Sequence, residues 1–371
     1  MKVLVTGAEG FIGKNLCVHL EERNVTVLRF TRKMNLNMLE DFVFQADSVI
    51  HLAGENRPEN PKEFEITNVG FTKILCDYIA RSNRNISIIF ASSTQATLKN
   101  AYGMSKFAAE QLLKNLSKNL HIRLAIYRLP GVFGKWCKPN YNSVVATFCH
   151  NIANNLPIKI NDPDVNIKLV YIDDVINSFV NFISDFNFSS DVYFNVGKEY
   201  KIKVGDLADQ IHGFKNVRES LVSEEVGTGL TRALYSTYLS YLPVAKFSYP
   251  ILKHNDDRGD FIEMIKTKDS GQISYFTAHP GVTRGGHYHH TKTEKFLVAS
   301  GTAKFKFKNI ITNEQFELIV NDDNSKVIDT IPGWAHDITN IGDKELVVIL
   351  WANEIFNPDQ PDTYAMSLKQ E

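Results

Sequence analysis

The chain has 371 residues, with 41 Lys plus Arg balanced against 42 Asp plus Glu for a formal net charge of -1. That length exceeds what one hydrophobic core serves, so two domains are expected, and the charge balance excludes nucleic acid or an anionic membrane as the main partner. No apolar run reaches the eighteen or so residues of a membrane helix, Thr6-Gly7 interrupts any signal-peptide core, and Cys17, Cys76, Cys137 and Cys149 lack paired spacing, so a cytoplasmic protein with reduced thiols is expected.

In chain order, Val3-Leu-Val5 predicts a strand that runs into Gly7, Gly10 and Gly13, with Phe11 and Ile12 opening a helix. Gly7 and Gly10 let backbone approach a pyrophosphate, Gly13 lets the helix sit on the strand, and the phosphates meet free N–H groups at the positive end of the helix. The second strand, Val25 to Lys33, ends in Arg29, Arg32 and Lys33 without an acid. An acid there would hold the ribose 2′-hydroxyl of NAD, whereas cations suit the 2′-phosphate, so NADPH is the expected cofactor. Asp47 to Gly54 predicts a third strand. A helix over Asn68 to Ala80, a strand over Ile86 to Ser93 and a helix over Phe107 to Leu116 follow. This alternation predicts a parallel sheet covered by helices on both faces.

Tyr102 and Lys106 are four residues apart, so on a helix they share a face. A lysine ammonium and an oxidised nicotinamide would both lower the tyrosine pKa, equipping Tyr102 for proton transfer. Ser93 or its neighbour Thr94 would hydrogen-bond the substrate oxygen.

After about Ser240 the texture changes. Pro243 and Pro250 mark a connector. Beyond it, short alternating runs separated by Pro280-Gly281 and Pro332-Gly333 predict antiparallel strands. The expected division is 1–243 and 244–371. Six of the eleven histidines fall after residue 250. His287 and His289 would point to one side of a strand, and Glu294 with His336 would complete a metal site suited to zinc or another first-row ion. His290 could replace one of its neighbours.

Residues 1 to about 240 resemble the extended short-chain dehydrogenase/reductases, through Thr6-Gly7-x-x-Gly10-x-x-Gly13, His51-Leu-Ala-Gly54, and Ser93, Tyr102 and Lys106. The resemblance implies a Rossmann-type domain in which Tyr102 is the general acid and Lys106 holds the nicotinamide ribose. Dehydrating relatives carry an Asp-Glu pair where Thr94-Gln95 stands here, so reduction is expected. Arg128-Leu-Pro130-Gly131 replaces a common Arg-x-Pro-Asn, and the segment Lys135 to Asn142 offers a replacement substrate surface.

The second half resembles the cupins, which implies a jelly-roll β-barrel, through Gly281, His287, His289, Glu294 and Gly301 and a partial second motif, Gly333-x-x-His336-x3-Asn340. Asp257-Arg258-Gly259 and Arg284-Gly-Gly-His287 also resemble the nucleotide-sugar 3,5-epimerases. That likeness makes Arg258 an anion clamp, Arg284 a substrate contact, and His287 either a catalytic base or a metal ligand. From end to end the chain resembles the bifunctional enzymes of capsule and O-antigen assembly on the route to UDP-N-acetyl-L-fucosamine. Their cupin domain epimerises a UDP-4-ketohexose and their reductase domain reduces it, in a homodimer. Two other readings are a single-activity reductase whose cupin serves dimerisation, and a non-enzymatic NADP-binding regulator.

Overall fold

The computed structural model describes residues 1–185, 192–251, 253–256, 259–262, 265, 271–354 and 359–368. The chain forms two compact units, Met1–Ser143 with Ile167–Lys201, and Val144–Asn166 with Ile202–Glu371. Among the described residues no helix is long and apolar enough to cross a membrane.

The first unit alternates strands and helices: β1 (Lys2–Thr6), α1 (Phe11–Glu22), β2 (Thr26–Phe30), α2 (Leu36–Gln45), β3 (Ser48–His51), α3 (Phe71–Ser82), β4 (Ser87–Ser93), α4 (Ala101–Leu120) and β5 (Leu124–Leu129). Its sheet runs β2-β1-β3-β4-β5 with Tyr193–Phe194 at the far edge, and every pair is parallel. Leu4, Val49, Ile88 and Ile126 from the strands pack with Leu75 and Ile79 of α3 and Leu113 of α4. Such near-continuous apolar strands form because helices cover both faces of a parallel sheet. The strand order reverses between β1 and β3, which opens a crevice at their C-terminal ends. The helix expected from Asn68 begins differently: Phe64–Gly70 is a π-helical turn, and α3 starts at Phe71.

The second unit contains the helices Val144–Ala153, Val204–Ser220 and Gly229–Leu239 and two five-stranded sheets. One sheet orders Ser248–Pro250, Lys326–Asp329, Glu294–Ser300, Leu346–Ala352 and Gln272–Ala278. The other orders Gln315–Asn321, Thr302–Asn309, Trp334–Asn340, Thr283–Tyr288 and Tyr364–Ala365. The pairs are antiparallel, as alternating patterns demand. Phe296, Phe305, Phe307, Ile338, Val348 and Trp351 fill the interior. The sequence texture breaks at 243–244, whereas the compact units group helices 204–220 and 229–239 with the β region. A buried ion cluster accounts for part of that grouping: Asp329 accepts from Arg218 at 2.9 Å and from Lys295 at 2.6 Å.

Candidate functional sites

The glycine turn is built by close approach. Gly7 has φ +69°, and a Cβ there would stand 2.9 Å from the Ala53 nitrogen; one at Gly13 would stand 2.3 Å from the Gly7 carbonyl oxygen. Gly10 donates its N–H to that oxygen at 2.9 Å and leads into α1, whose first residues are Phe11 and Ile12. Among the described residues α1 has neither a side-chain cap nor an acid in its first turn, so its N–H groups suit an anion.

A hydrogen-bond chain fixes the wall beside the turn. Thr6 Oγ1 accepts from the N–H groups of Leu52 and Ala53, both at 3.2 Å, and lies 2.8 Å from His51 Nδ1. Thr72 donates to the Asn68 carbonyl at 2.6 Å, so at 2.9 Å it accepts from His51 Nε2–H. His51 is therefore the neutral Nε2–H tautomer; burial, and then the Lys106 charge, push its pKa down to about 3. Asn68 in turn ties Glu55, next to Gly54, to Ser105 of α4. Residue order shows His51 and Thr6 as motif members but hides this coupling.

The two candidate phosphate-binding arginines meet carboxylates of the chain itself. Arg29 grips both oxygens of Glu21 at 2.8 and 2.7 Å, while Arg32, 82% exposed, reaches Glu55 at 3.0 Å. A 2′-phosphate would compete with these pairs for the guanidinium groups.

In α4, Asn100 caps the helix by accepting from the Gly103 N–H at 2.7 Å, and a Cβ at Gly103 would fall 2.1 Å from the Gln95 carbonyl oxygen. This tight start sets Tyr102 near Ser93, the last residue of β4. Burial raises the Tyr102 pKa and Ser93 opposes it. Lys106 donates to the Ala91 carbonyl at 2.7 Å and lies 4.2 Å over the Phe90 ring, and burial lowers it to about 7. The lowered Tyr102 pKa expected from Lys106 is thus corrected: in the protein alone desolvation wins, and the hydroxyl keeps its proton. Thr94 is exposed at the start of the turn Thr94–Thr97.

Arg128 is engaged by Glu110, a fully buried carboxylate, through Nε at 3.0 Å and Nη2 at 2.6 Å; Ser92 and Tyr193 donate to the same carboxylate. Lys135 is buried against Asp173 at 3.0 Å, so its role is structural, while Asn142 is exposed and the neighbouring Tyr141 donates to Glu55 at 3.0 Å.

In the second unit, His287 and His336 are cross-strand partners next to a bulge at Gly285 and Gly286, which have φ +98° and +73°. His289 follows the end of that strand, and Glu294 starts a strand of the other sheet. The four side chains converge, with candidate ligand atoms all within 4.8 Å of one another. Glu294 Oε2 lies 3.1 Å from His289 Nε2 and 3.4 Å from His336 Nε2. His289 Nδ1 is 2.6 Å from the Asp362 carbonyl oxygen, which can only accept, so Nδ1 carries the proton. Nε2 of the same ring faces the Glu294 carboxylate oxygen, a place that either a shared proton or a shared cation would fill. Three imidazoles and one carboxylate form a donor set that fits zinc. Burial pushes Glu294 up, yet His289 and His336 hold it well below the usual carboxylate range; burial pushes His287 down to about 4. His290 lies outside this group, its ring against Tyr364 at 4.9 Å. Arg284 is exposed, 5.4 Å over the Phe276 ring, and Arg258 lies outside the described residues.

A parallel sheet with a glycine turn at its switch point, Ser93 at a strand end and Tyr102 and Lys106 on the helix that follows defines a nicotinamide-nucleotide enzyme. The chain belongs to the NAD dependent epimerase/dehydratase family, whose model matches residues 3–197, and residues 254–364 match the polysaccharide biosynthesis C-terminal domain. It is 53% identical over 369 residues to a UDP-2-acetamido-2,6-beta-L-arabino-hexul-4-ose reductase of Pseudomonas aeruginosa, with 99% of each chain covered. The capsular polysaccharide assembling protein CapF of Staphylococcus aureus matches at 42% identity and a TM-score of 0.69, over 99% of this chain and 100% of that one. A UDP-glucuronic acid 4-epimerase of Bacillus cereus is similar in fold at 20% identity and a TM-score of 0.53, over 58% of this chain and 84% of its own.

Proposed function

We infer that this chain is a bifunctional nucleotide-sugar enzyme of capsule or O-antigen assembly. It 3-epimerises a UDP-2-acetamido-2,6-dideoxy-4-ketohexose and reduces the 4-ketone with NADPH, giving UDP-2-acetamido-2,6-dideoxy-L-talose on the route to UDP-N-acetyl-L-fucosamine. The observation that carries this reading is the end-to-end likeness to a reductase named for a 4-ulose, in a chain that also gathers His287, His289, Glu294 and His336. The division of labour is proposed to follow the composition break, with reduction in 1–243 and epimerisation in a cupin-type domain, 244–371.

Bound NADPH would supply the hydride for the ketone. Tyr102, protonated and near Ser93, then donates its proton to the developing alkoxide, while Lys106 orients the cofactor ribose. Gly7, Gly10 and Gly13 with the N–H groups of Phe11 and Ile12 would hold the pyrophosphate, and Leu52, Ala53 and Gly54 would line its adenosine side. Arg29 and Arg32, which pair with Glu21 and Glu55, are the residues that would hold the 2′-phosphate. NADPH should therefore bind more tightly than NADH, and Arg32→Ala should narrow the difference several-fold; fluorescence titration with both nucleotides checks this.

A zinc ion would supply Lewis acidity beside the carbonyl. His289, Glu294 and His336 would hold it, and His287, half-buried, neutral at pH 7 and beside them, is either a fourth ligand or the base that removes the proton. Arg258, Arg284, Arg128 and Asn142 are the proposed contacts to the UDP-sugar. Homodimeric assembly and a cytoplasmic location complete the proposal. The test is incubation with the UDP-4-ketosugar in deuterated water. Without NADPH, deuterium should enter at C3; with NADPH, the 4-ketone should be reduced. NADPH oxidation without any deuterium uptake would instead leave a simple reductase.

A further inference from the structure

The segment Pro361-Asp362-Thr363 lies far along the chain from the histidines, yet its central residue meets the link between two of the clustered side chains. The Asp362 carboxylate accepts the N–H of His290 at 2.9 Å through Oδ1, and through Oδ2 those of Thr291 and Lys292 at 2.7 and 2.6 Å with the Thr291 hydroxyl at 3.0 Å. The carbonyl of the same residue takes the Nδ1–H of His289 at 2.6 Å. We propose that Asp362 is a positioning residue for the metal group: it clamps the turn His290–Lys292 and aims His289 Nε2 at the centre shared with Glu294 and His336.

The geometry carries this in three ways. First, the turn is the covalent connection between His289 and Glu294, so fixing it fixes their separation. Second, Asp362 has φ +40°, a left-handed conformation that a non-glycine residue retains only where surrounding contacts over-determine it. Third, a histidine ligand whose second nitrogen is held by a carbonyl has its tautomer and ring plane set before any ion arrives. The turn is also held elsewhere: the Thr291 carbonyl accepts from Ser236 at 2.7 Å, and Thr293 N–H donates to Asn353 at 2.9 Å. Asp362 differs from those partners because it addresses the imidazole itself.

The inference rests on the metal reading above, and the experiment separates the two. Zinc affinity is measured by chelator competition on the full-length protein and on Asp362→Asn and Asp362→Gly, both of which tolerate the left-handed backbone. Urea midpoints of the metal-free forms are recorded alongside. The expected result is zinc binding by the wild type, an affinity about 10- to 100-fold weaker in the variants, and similar metal-free midpoints. Failure of the wild type to bind zinc overturns the metal reading. Wild-type binding with unchanged variants overturns the role of Asp362 alone. So does a fall in affinity matched by an equal loss of metal-free stability, since that would make the clamp part of the fold only.

Discussion

Tyr102 and Glu110 lie on one helix and illustrate two uses of a buried polar group. Tyr102 has a hydroxyl that burial keeps protonated near Ser93, which suits a proton donor. Tyr102→Phe should lower the rate of NADPH oxidation about 10²- to 10⁴-fold, as expected for loss of a general acid, with NADPH binding retained. Steady-state assays and fluorescence titration separate those outcomes. Glu110, by contrast, is a fully buried acceptor for Arg128, Ser92 and Tyr193. Glu110→Ala would leave Arg128 only the Tyr193 hydroxyl and ring and strand the buried Ser92 hydroxyl, and should cost about 1–3 kcal/mol in urea unfolding. The spacing of Tyr102 and Lys106 was legible because four residues make about one helical turn. The partner of Arg128 was not, because Glu110 reaches it across the interface between α4 and β5.

Elements carry the next level of constraint. The start of α4 packs so closely on the turn Thr94–Thr97 that Gly103 leaves no room for a Cβ. Gly103→Ala should destabilise the protein by about 1–3 kcal/mol, the range for overpacking, and displace Tyr102; thermal unfolding and the reductase rate together check this. The ends of β1 and β3 depend on neutral His51. Its folded pKa, about 3, lies below the ordinary value of 6.5, so the unfolded state takes up the proton first. Its contribution to stability is present above pH 6.5 and is lost as pH falls toward 3. His51→Gln should shrink the difference between urea midpoints measured at pH 7 and pH 5. The strand-ending motif His51-Leu-Ala-Gly54 was readable as a pattern. That it is a proton-ordered chain through Thr6, Thr72 and Asn68 depends on a π-helical turn that no periodicity announces.

At the scale of the molecule, the proposed reduction and epimerisation draw on different residues, which substitutions can separate. His336→Gln should abolish deuterium uptake by the ketosugar while sparing NADPH binding, and Tyr102→Phe should slow reduction while sparing both deuterium uptake and NADPH binding. Proton NMR of the sugar ring and cofactor fluorescence read both. The grouping of helices 204–220 and 229–239 with the β region follows from contacts such as Arg218 with Asp329 and Ser236 with Thr291, which composition along the chain does not register.

Residue order by itself determined the alternating α/β half, the glycine turn, the tyrosine–lysine face and the antiparallel half, because hydrophobic period, glycine spacing and helical repeat are local properties. Tertiary structure alone decided which carboxylate answers which cation: Glu21 for Arg29, Glu55 for Arg32 and Glu110 for Arg128. It also brought Glu294 and His336 together from facing sheets and set Asp362 against His289. Those pairings depend on how sheets stack and turns close, and short-range electrostatics acts across whatever distances that packing leaves.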